Sequence, residues 1–465
     1  MYQVDFTKPC HVHFIGIGGI SMSGLAEILN KEGFKVTGSD MKESETTKLL
    51  TDRGIKVYFG QYASNIASEP DIDLVVYTAA ISNDNEELQA AKNKNLPLLT
   101  RAELLGQIME NYKYSIAVSG THGKTTTTSM LSHIFMAAAK DPTISIGGML
   151  NLIGGNIRVG SSPYFITEAC EYTNSFHSFY PYVSIILNID NDHLDFFKNL
   201  DNIVKSFAKF STNLKDGGLL VVNGDMPYLE DIKAAVKDKG CSLVTFGMND
   251  GNDYQAKNVT LNDEGHPSYD LYIKGEFLDH IELSVTGSHN AMNSLSAIAS
   301  SLFLGLDISS IKEGLKNCAS AHRRFEYKGT LAGNVTVIDD YAHHPTEIAA
   351  TLKVGRSVVK NELWCAFQPH TYSRTKALLK DFAKALSVCD HVLLADIYAA
   401  REIDDGTISS KDLERELKDL GCDAIYLGDF EAIKNYFKNH VNNNDMLITM
   451  GAGNIDSIGV QLLEK

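Results

Sequence analysis

Two glycines, a lysine and a run of threonines stand together in Gly120-Thr121-His122-Gly123-Lys124-Thr125-Thr126, and that combination suits phosphate. The apolar run at 114–119 before it reads as a buried strand. After it, Met130, Leu131, Ile134 and Phe135 have helical spacing. Glycines let backbone N–H groups converge on phosphate oxygens, and the new helix presents its positive end to them. Lys124 can then reach the β- and γ-phosphates of a nucleoside triphosphate while the Thr125 hydroxyl ligates Mg²⁺. The usual pattern has one more glycine, five residues before Gly123, where this chain has Val118. A plain strand–turn–helix with an incidental lysine is the alternative.

Two further strand ends carry acids and a histidine. Residues 164–167 run into Glu168-Ala169-Cys170-Glu171, and residues 183–187 into Asn188-Ile189-Asp190-Asn191-Asp192-His193. In an open parallel sheet the strand C-termini face one crevice, so Glu168 and His193 are candidates to bind Mg²⁺, directly or through water. His193 also reads as part of a helix-capping Asp-His turn. Asn290 and Asn293, three apart at the start of a helix, share one face. They could cap that helix or hold a purine edge. The adjacent His343-His344 point differently in most backbones, which favours substrate contacts or capping over a metal pair.

These groups need elements to position them. At 465 residues the chain has room for about three domains. Repeated β/α alternation places a dinucleotide-type α/β domain at 1–112, a phosphate-loop domain at 113–321 and a second Rossmann-like domain at 322–465. The first opens on residues 11–19, with Gly16, Gly18 and Gly19 turning into a helix near Ile20; Ser21 replaces the third glycine of the fingerprint. A pyrophosphate on that helix is the reading, with NAD and Asp40 on its ribose as the runner-up. Another strand of this domain runs into Arg101-Ala102-Glu103, and residues 147–160 form a glycine-rich segment. A net charge of −16 argues against nucleic-acid and anionic-membrane partners. Seven scattered cysteines with no C-x-x-C, no basic apolar leader and no membrane-length apolar run fit a soluble cytoplasmic protein. A GTPase would need a guanine-reading motif, and none is found.

Over essentially its whole length the chain resembles the Mur ligases, which add amino acids to the peptidoglycan precursor. The resemblance rests on residues 13–24, the phosphate loop, Glu168–Glu171, Asn188-Ile189 with Asp192-His193-Leu194-Asp195, Ser288-His289-Asn290-Ala291-Met292-Asn293, Arg323-Arg324-Phe325, Asp339 through Glu347, and Phe367-Gln368-Pro369-His370. It implies ATP-dependent ligation of L-alanine to UDP-N-acetylmuramate through an acyl phosphate; attachment of a preformed tripeptide to the same nucleotide is the alternative. Gly16, Gly18, Gly19, Ile20 and Asp40 would then hold the UDP part. Gly120, Thr121, His122, Gly123, Lys124, Thr125, Thr126, Asn290, Asn293, Arg324 and Asp340 would hold ATP. Thr125 and Glu168 would hold one Mg²⁺ and His193 a second metal, with Lys124, His193 and Arg324 the catalytic set. Tyr341, His343, His370 and Arg374 would hold the alanine, in a monomer or weak homodimer whose third domain closes. Cys170 stands where relatives often have aspartate, so no metal is assigned to it, and Thr371 replaces an arginine of some members.

Overall fold

The computed structural model describes residues 2–464 apart from Ala79, Ser320 and Arg401. It contains two compact units, Met1–Gln255 with Ser294–Gly314, and Ala256–Asn293 with Leu315–Lys465.

The first unit holds two sheets. The first comprises β1 (His11–Ile15), β2 (Lys35–Asp40), β3 (Lys56–Phe59), β4 (Leu74–Tyr77) and β5 (Leu98–Thr100), in the order β3-β2-β1-β4-β5. All of its pairings are parallel. β1 is buried along its whole length, as a central parallel strand covered on both faces should be. The parallel pairing brings every C-terminal tip to one edge, and the turn at Gly16 and the helix Arg101–Glu110 both start there. A capping box between Thr100 and Glu103 fixes where that helix begins.

The second sheet of this unit is built from β6 (Tyr114–Ser119), β7 (Thr143–Leu150), β8 (Gly155–Arg158), β9 (Tyr164–Glu168), β10 (Val183–Ile186), β11 (Leu219–Asn223) and β12 (Ser242–Gly247), ordered β12-β11-β10-β6-β9-β7-β8. β6 lies between β10 and β9, so the phosphate loop is flanked by the tips that carry Asn188 and Glu168. The glycine-rich segment is the antiparallel hairpin of β7 and β8. Its far arm lies against the first sheet's opening helix, Ile20–Lys31. A Cβ on Gly24 would fall 2.0 Å from the Ile157 side chain, so glycine is required at this contact.

β13 (Tyr254–Leu261) leads the chain into the second unit, where β14 (Pro267–Ile273) and β15 (Glu276–Glu282) form an antiparallel hairpin. A six-stranded sheet follows: β16 (Glu326–Leu331), β17 (Val335–Asp340), β18 (Leu363–Phe367), β19 (His391–Ala395), β20 (Asp423–Gly428) and β21 (Met446–Met450), in the order β16-β17-β21-β18-β19-β20. Only β16 is antiparallel to its neighbour. β16 and β20 form its two edges.

Candidate functional site

Val118 explains the shortened glycine pattern. It is a fully buried residue of β6, so the strand runs on to Ser119 and the loop proper is only Gly120–Gly123. Gly123 ends it with φ +88°, as the N-cap of the helix Lys124–Ala137. The neighbouring tip holds the loop open. Asn188 accepts from the His122 N–H (2.8 Å) and donates to the His122 carbonyl (2.9 Å), bracketing that residue's main chain from both ends. The Asp190 N–H donates to the Thr121 hydroxyl (2.9 Å), and the Asp190 carboxylate lies 3.0 Å from His122 Nε2.

The Lys124 ammonium donates to Glu171 Oε2 (2.9 Å), to Glu171 Oε1 (3.2 Å) and to the carbonyls of Gly120 (2.6 Å) and Thr121 (3.1 Å). Burial opposes the charge on Lys124, but the Glu171 carboxylate outweighs it and the pKa is raised. Lys124 is therefore a cation under all conditions of interest, held beside the loop by a buried acid. Glu171 also lies 3.9 Å from His193 Nε2. His193 adopts φ +52° at the N-cap of the short helix Leu194–Phe197 but makes no capping hydrogen bond with its side chain. Its ring instead lies tilted against Tyr172, with centroids 4.6 Å apart.

Whether these residues suit Mg²⁺ is tested by the hairpin above them. The Gly147 N–H donates to Glu168 Oε1 (2.6 Å), and a Cβ at Gly147 would lie 2.9 Å from Glu168 Oε2. A Cβ on the next residue, Gly148, would be 3.4 Å from the Thr125 methyl. Glycine at 147 lets the backbone approach and orient the Glu168 carboxylate, and the carboxylate and hydroxyl oxygens of Glu168 and Thr125 are donors that suit Mg²⁺ shared with phosphate. The residues fit the ion.

At the first sheet's crest, Gly16 and Ile17 N–H groups donate to the Ser39 carbonyl (2.8 and 2.9 Å), and the Gly18 N–H to Asp40 Oδ2 (2.8 Å). Asp40 also accepts from the Met41 N–H (2.8 Å). Its carboxylate therefore shapes the turn. Gly19 is the N-cap of the helix Ile20–Lys31 and supplies no side chain to cap it, which leaves the first-turn amides available to an anion. Ile20 is exposed beside them.

In the second unit, Asn290 Nδ2 donates to the Thr286 carbonyl (2.7 Å) and Asn293 Nδ2 to Asn290 Oδ1 (2.9 Å); both side chains are buried. The two form one hydrogen-bonded unit. Arg323 and Arg324 behave differently. Arg323 Nε donates to Asp339 (2.9 Å), and its other nitrogens to the carbonyls of Gly453 (2.8 Å) and Gly451 (2.6 Å), pinning the tips of β17 and β21 together. Arg324 lies over the Tyr341 ring, 5.6 Å from its centroid. Asp340 accepts from the Phe325 and Ala342 N–H groups (2.7 and 2.8 Å). Burial lifts its pKa to about 6, against the pull of Arg324 and those two amides. The histidine pair divides its roles. His344 caps the helix Pro345–Val358, while His343 faces His370 with ring centroids 5.7 Å apart. Tyr341 sits edge-on to His343 at 5.4 Å, His370 stacks on Tyr398 at 5.7 Å, and Arg374 lies 3.1 Å from His370 Nδ1.

Residues 11–113 match the Mur ligase family catalytic domain, 118–301 the Mur ligase middle domain and 323–453 the Mur ligase glutamate ligase domain. The chain belongs to the Mur ligase family. It is 55% identical to the UDP-N-acetylmuramate–L-alanine ligase of Agathobacter rectalis over 465 residues, all of both chains, and 52% identical to that of Lachnoclostridium phytofermentans over 100% of both. The crystal structure of the UDP-N-acetylmuramate–alanine ligase of Thermotoga maritima superposes with a TM-score of 0.79, at 30% identity and 98% coverage of each chain. The three-domain α/β architecture is that of this family.

Against this Mur ligase frame, several of the expected residues come together. Within the first unit, Gly120 to Thr126, Glu168 and His193 line adjacent strand tips. Within the second, Tyr341, His343, His370 and Arg374 form one cluster, and Arg324 and Asp340 adjoin it. Sequence reasoning missed Glu171, Asn188, Asp190 and Tyr398 as supports. The signal for the first three was position, since each follows a strand beside β6. Tyr398 had only its place after β19.

Proposed function

We infer that this Mur ligase joins L-alanine to UDP-N-acetylmuramate at the expense of ATP, through an acyl phosphate, giving UDP-N-acetylmuramoyl-L-alanine, ADP and phosphate. Its product is a peptidoglycan precursor. The observation that carries this reading is the full-length likeness, at 55% identity, to a ligase with that substrate pair. We assign the UDP part to 1–112, ATP to 113–321 and the amino acid to 322–465.

A carboxylate is a poor electrophile, so the γ-phosphoryl of ATP is first transferred to the lactyl carboxyl. The alanine amine then attacks the acyl carbon, and phosphate leaves the tetrahedral intermediate. Phosphoryl transfer requires positioning and charge neutralisation more than covalent help from the protein. In the loop from Gly120 to Thr126, the amides that Asn188 does not engage supply oriented donors, and Lys124 supplies a permanent positive charge. Arriving phosphates would compete with Glu171 for that ammonium. Thr125, Glu168 and His193 would hold Mg²⁺, which when bound supplies Lewis-acid stabilisation of phosphoryl and carboxylate oxygens. Asn290 and Asn293 are assigned to adenine, with Arg324 and Asp340 as further nucleotide contacts. Gly16, Gly18 and Gly19 shape the turn that receives the UDP diphosphate, Asp40 braces it, and the first-turn amides from Ile20 onward face the anion. Tyr341, His343, His370 and Arg374 hold the amine substrate, where a cation and aromatic faces suit a small zwitterion. Among the described residues no helix is long and apolar enough to cross a membrane. A cytoplasmic monomer or weak homodimer completes the reading.

The test offers the enzyme ATP, Mg²⁺ and UDP-N-acetylmuramate with L-alanine, glycine, L-serine or the tripeptide in parallel. Phosphate release and product mass should show efficient reaction with alanine. A pocket discriminates by only about 10- to 200-fold per methylene, so serine and glycine should react weakly. Efficient tripeptide ligation without an alanine product overturns the assignment.

A further inference from the structure

The charged groups around the first unit's phosphate site are nearly all matched. Lys124 rests on Glu171 and His122 on Asp190. Arg101 is the exception. It is the first residue of the helix Arg101–Glu110, directly after the N-cap Thr100. Thr100 stands in register with Tyr77, and Tyr77 with Ile15, so Arg101 lies on the same crest as the Gly16 turn. Its helix packs against the segment Tyr172–Ser178, which follows directly from the Glu168–Glu171 tip. Its ionisable neighbour is Cys170, a buried thiol whose pKa is raised by burial and which is also a neighbour of Lys124. Arg101 and Lys124 are therefore both neighbours of the β9 tip, one following a strand of each sheet.

The Arg101 side chain is largely withdrawn from water, yet its guanidinium makes no hydrogen bond or ion pair with any described residue. Burial lowers its pKa, but a guanidinium stays protonated in proteins. A buried cation without a partner is costly, and five N–H donors in a rigid fork match a planar anion with two oxygens. Such an arrangement is built for an anion that arrives with a ligand.

Resting on the function inferred above, we propose that Arg101 is the anchor for the lactyl carboxylate of UDP-N-acetylmuramate. Position selects this anion over the others present. The triphosphate belongs to the β6 loop and Lys124. The diphosphate belongs to the β1 turn, two strands from β5 and thus about 10 Å away at ordinary strand spacing. The reacting carboxylate must lie between those two, tethered to the diphosphate by the sugar and within reach of the γ-phosphoryl. The β9 tip, bordered by both Arg101 and Lys124, is that place. A bidentate fork would fix both carboxylate oxygens before transfer. It would then keep hold of the one that becomes the acyl phosphate carbonyl while the other takes the phosphoryl.

The test is calorimetric binding of two nucleotides, UDP-N-acetylmuramate and UDP-N-acetylglucosamine, which lacks the lactyl group. The wild-type enzyme should prefer the first. In Arg101→Gln, affinity for UDP-N-acetylmuramate should fall about ten- to hundredfold while binding of UDP-N-acetylglucosamine is kept, since a charged hydrogen-bonded contact is worth that much. Arg101→Lys, which keeps the charge without the fork, should recover part of the loss. Equal weakening of both nucleotides in Arg101→Gln would mean a diphosphate contact or a structural role, and overturns the proposal. So does unchanged affinity for UDP-N-acetylmuramate. A wild-type enzyme that binds neither nucleotide removes the functional reading itself, and the proposal with it.

Discussion

The phosphate loop and the Tyr341–His370 cluster both crown strand tips of parallel α/β sheets, but they are made of different material. The loop is main chain. Asn188 clamps its main chain, Asp190 holds the Thr121 and His122 side chains, and its lysine, Lys124, is already matched by Glu171. The cluster is side chain. Tyr341, His343, His370 and Tyr398 lean ring on ring across three tips, with Arg374 at one end. A site of main-chain donors is prescribed by the fold and tolerates few changes of backbone. A site of packed rings is prescribed by side-chain contacts, and each ring is replaceable at a smaller cost. The difference fits the proposed assignment of ATP to the loop and of the amine to the ring cluster.

Breaking the first region should have the largest effect. Lys124→Met should lower turnover at least on the order of 10²-fold. It should also destabilise the fold by roughly 3–5 kcal/mol, because Glu171 is left charged, buried and unpaired. Adding Glu171→Gln should restore the denaturation midpoint but not turnover, separating the loop's structural charge from its chemical one. Near-normal turnover in the double variant would show that the loop needs no cation.

An intermediate effect is expected in the second region. His370→Ala should raise the KM for L-alanine about tenfold, as for loss of one polar contact, and leave the KM for ATP as it was. If the KM values for both substrates rise together, the ring cluster is a scaffold and the contrast with the loop is lost.

The smallest signal lies in Asp340. Its folded pKa, near 6, is above the ordinary carboxyl value, so between about pH 4 and 6 the folded state keeps a proton that the unfolded state releases. This group's contribution is thus present at low pH and is lost as pH rises through 6. Relative to Asp340→Asn, the wild type should lose stability across that window with a slope of up to about one proton, read from thermal midpoints at stepped pH. Parallel curves would place the titration elsewhere.

How much of this was legible depends on separation along the chain. The Gly-x-x-Gly-Lys-Thr run announces its own loop because strand, turn and helix are contiguous. The strands buried on both faces were found from their apolar runs, whereas β16 and β20, edge strands with mixed exposure, carry too weak a pattern. Glu171 sits 47 residues from Lys124, and only parallel pairing of β6 with β9 brings them together. The adjacent pairs Arg323-Arg324 and His343-His344 look equivalent in sequence. Their division of labour is decided by backbone direction, with Arg323 at φ +60° turned onto Asp339 and His344 at a helix N-cap.

The contact of Ile157 with Gly24 bears on how such enzymes can be recombined. The two surfaces fit only because one side lacks a side chain and the other fills the dent, with Lys31 also donating to the Val159 carbonyl (2.7 Å). A chimera joined near residue 113 would bring together a foreign nucleotide half and this hairpin, and any larger residue at the position of Gly24 would prise them apart. Grafts that carry residues 11–31 and 143–160 as a matched set should survive where a clean cut between domains does not.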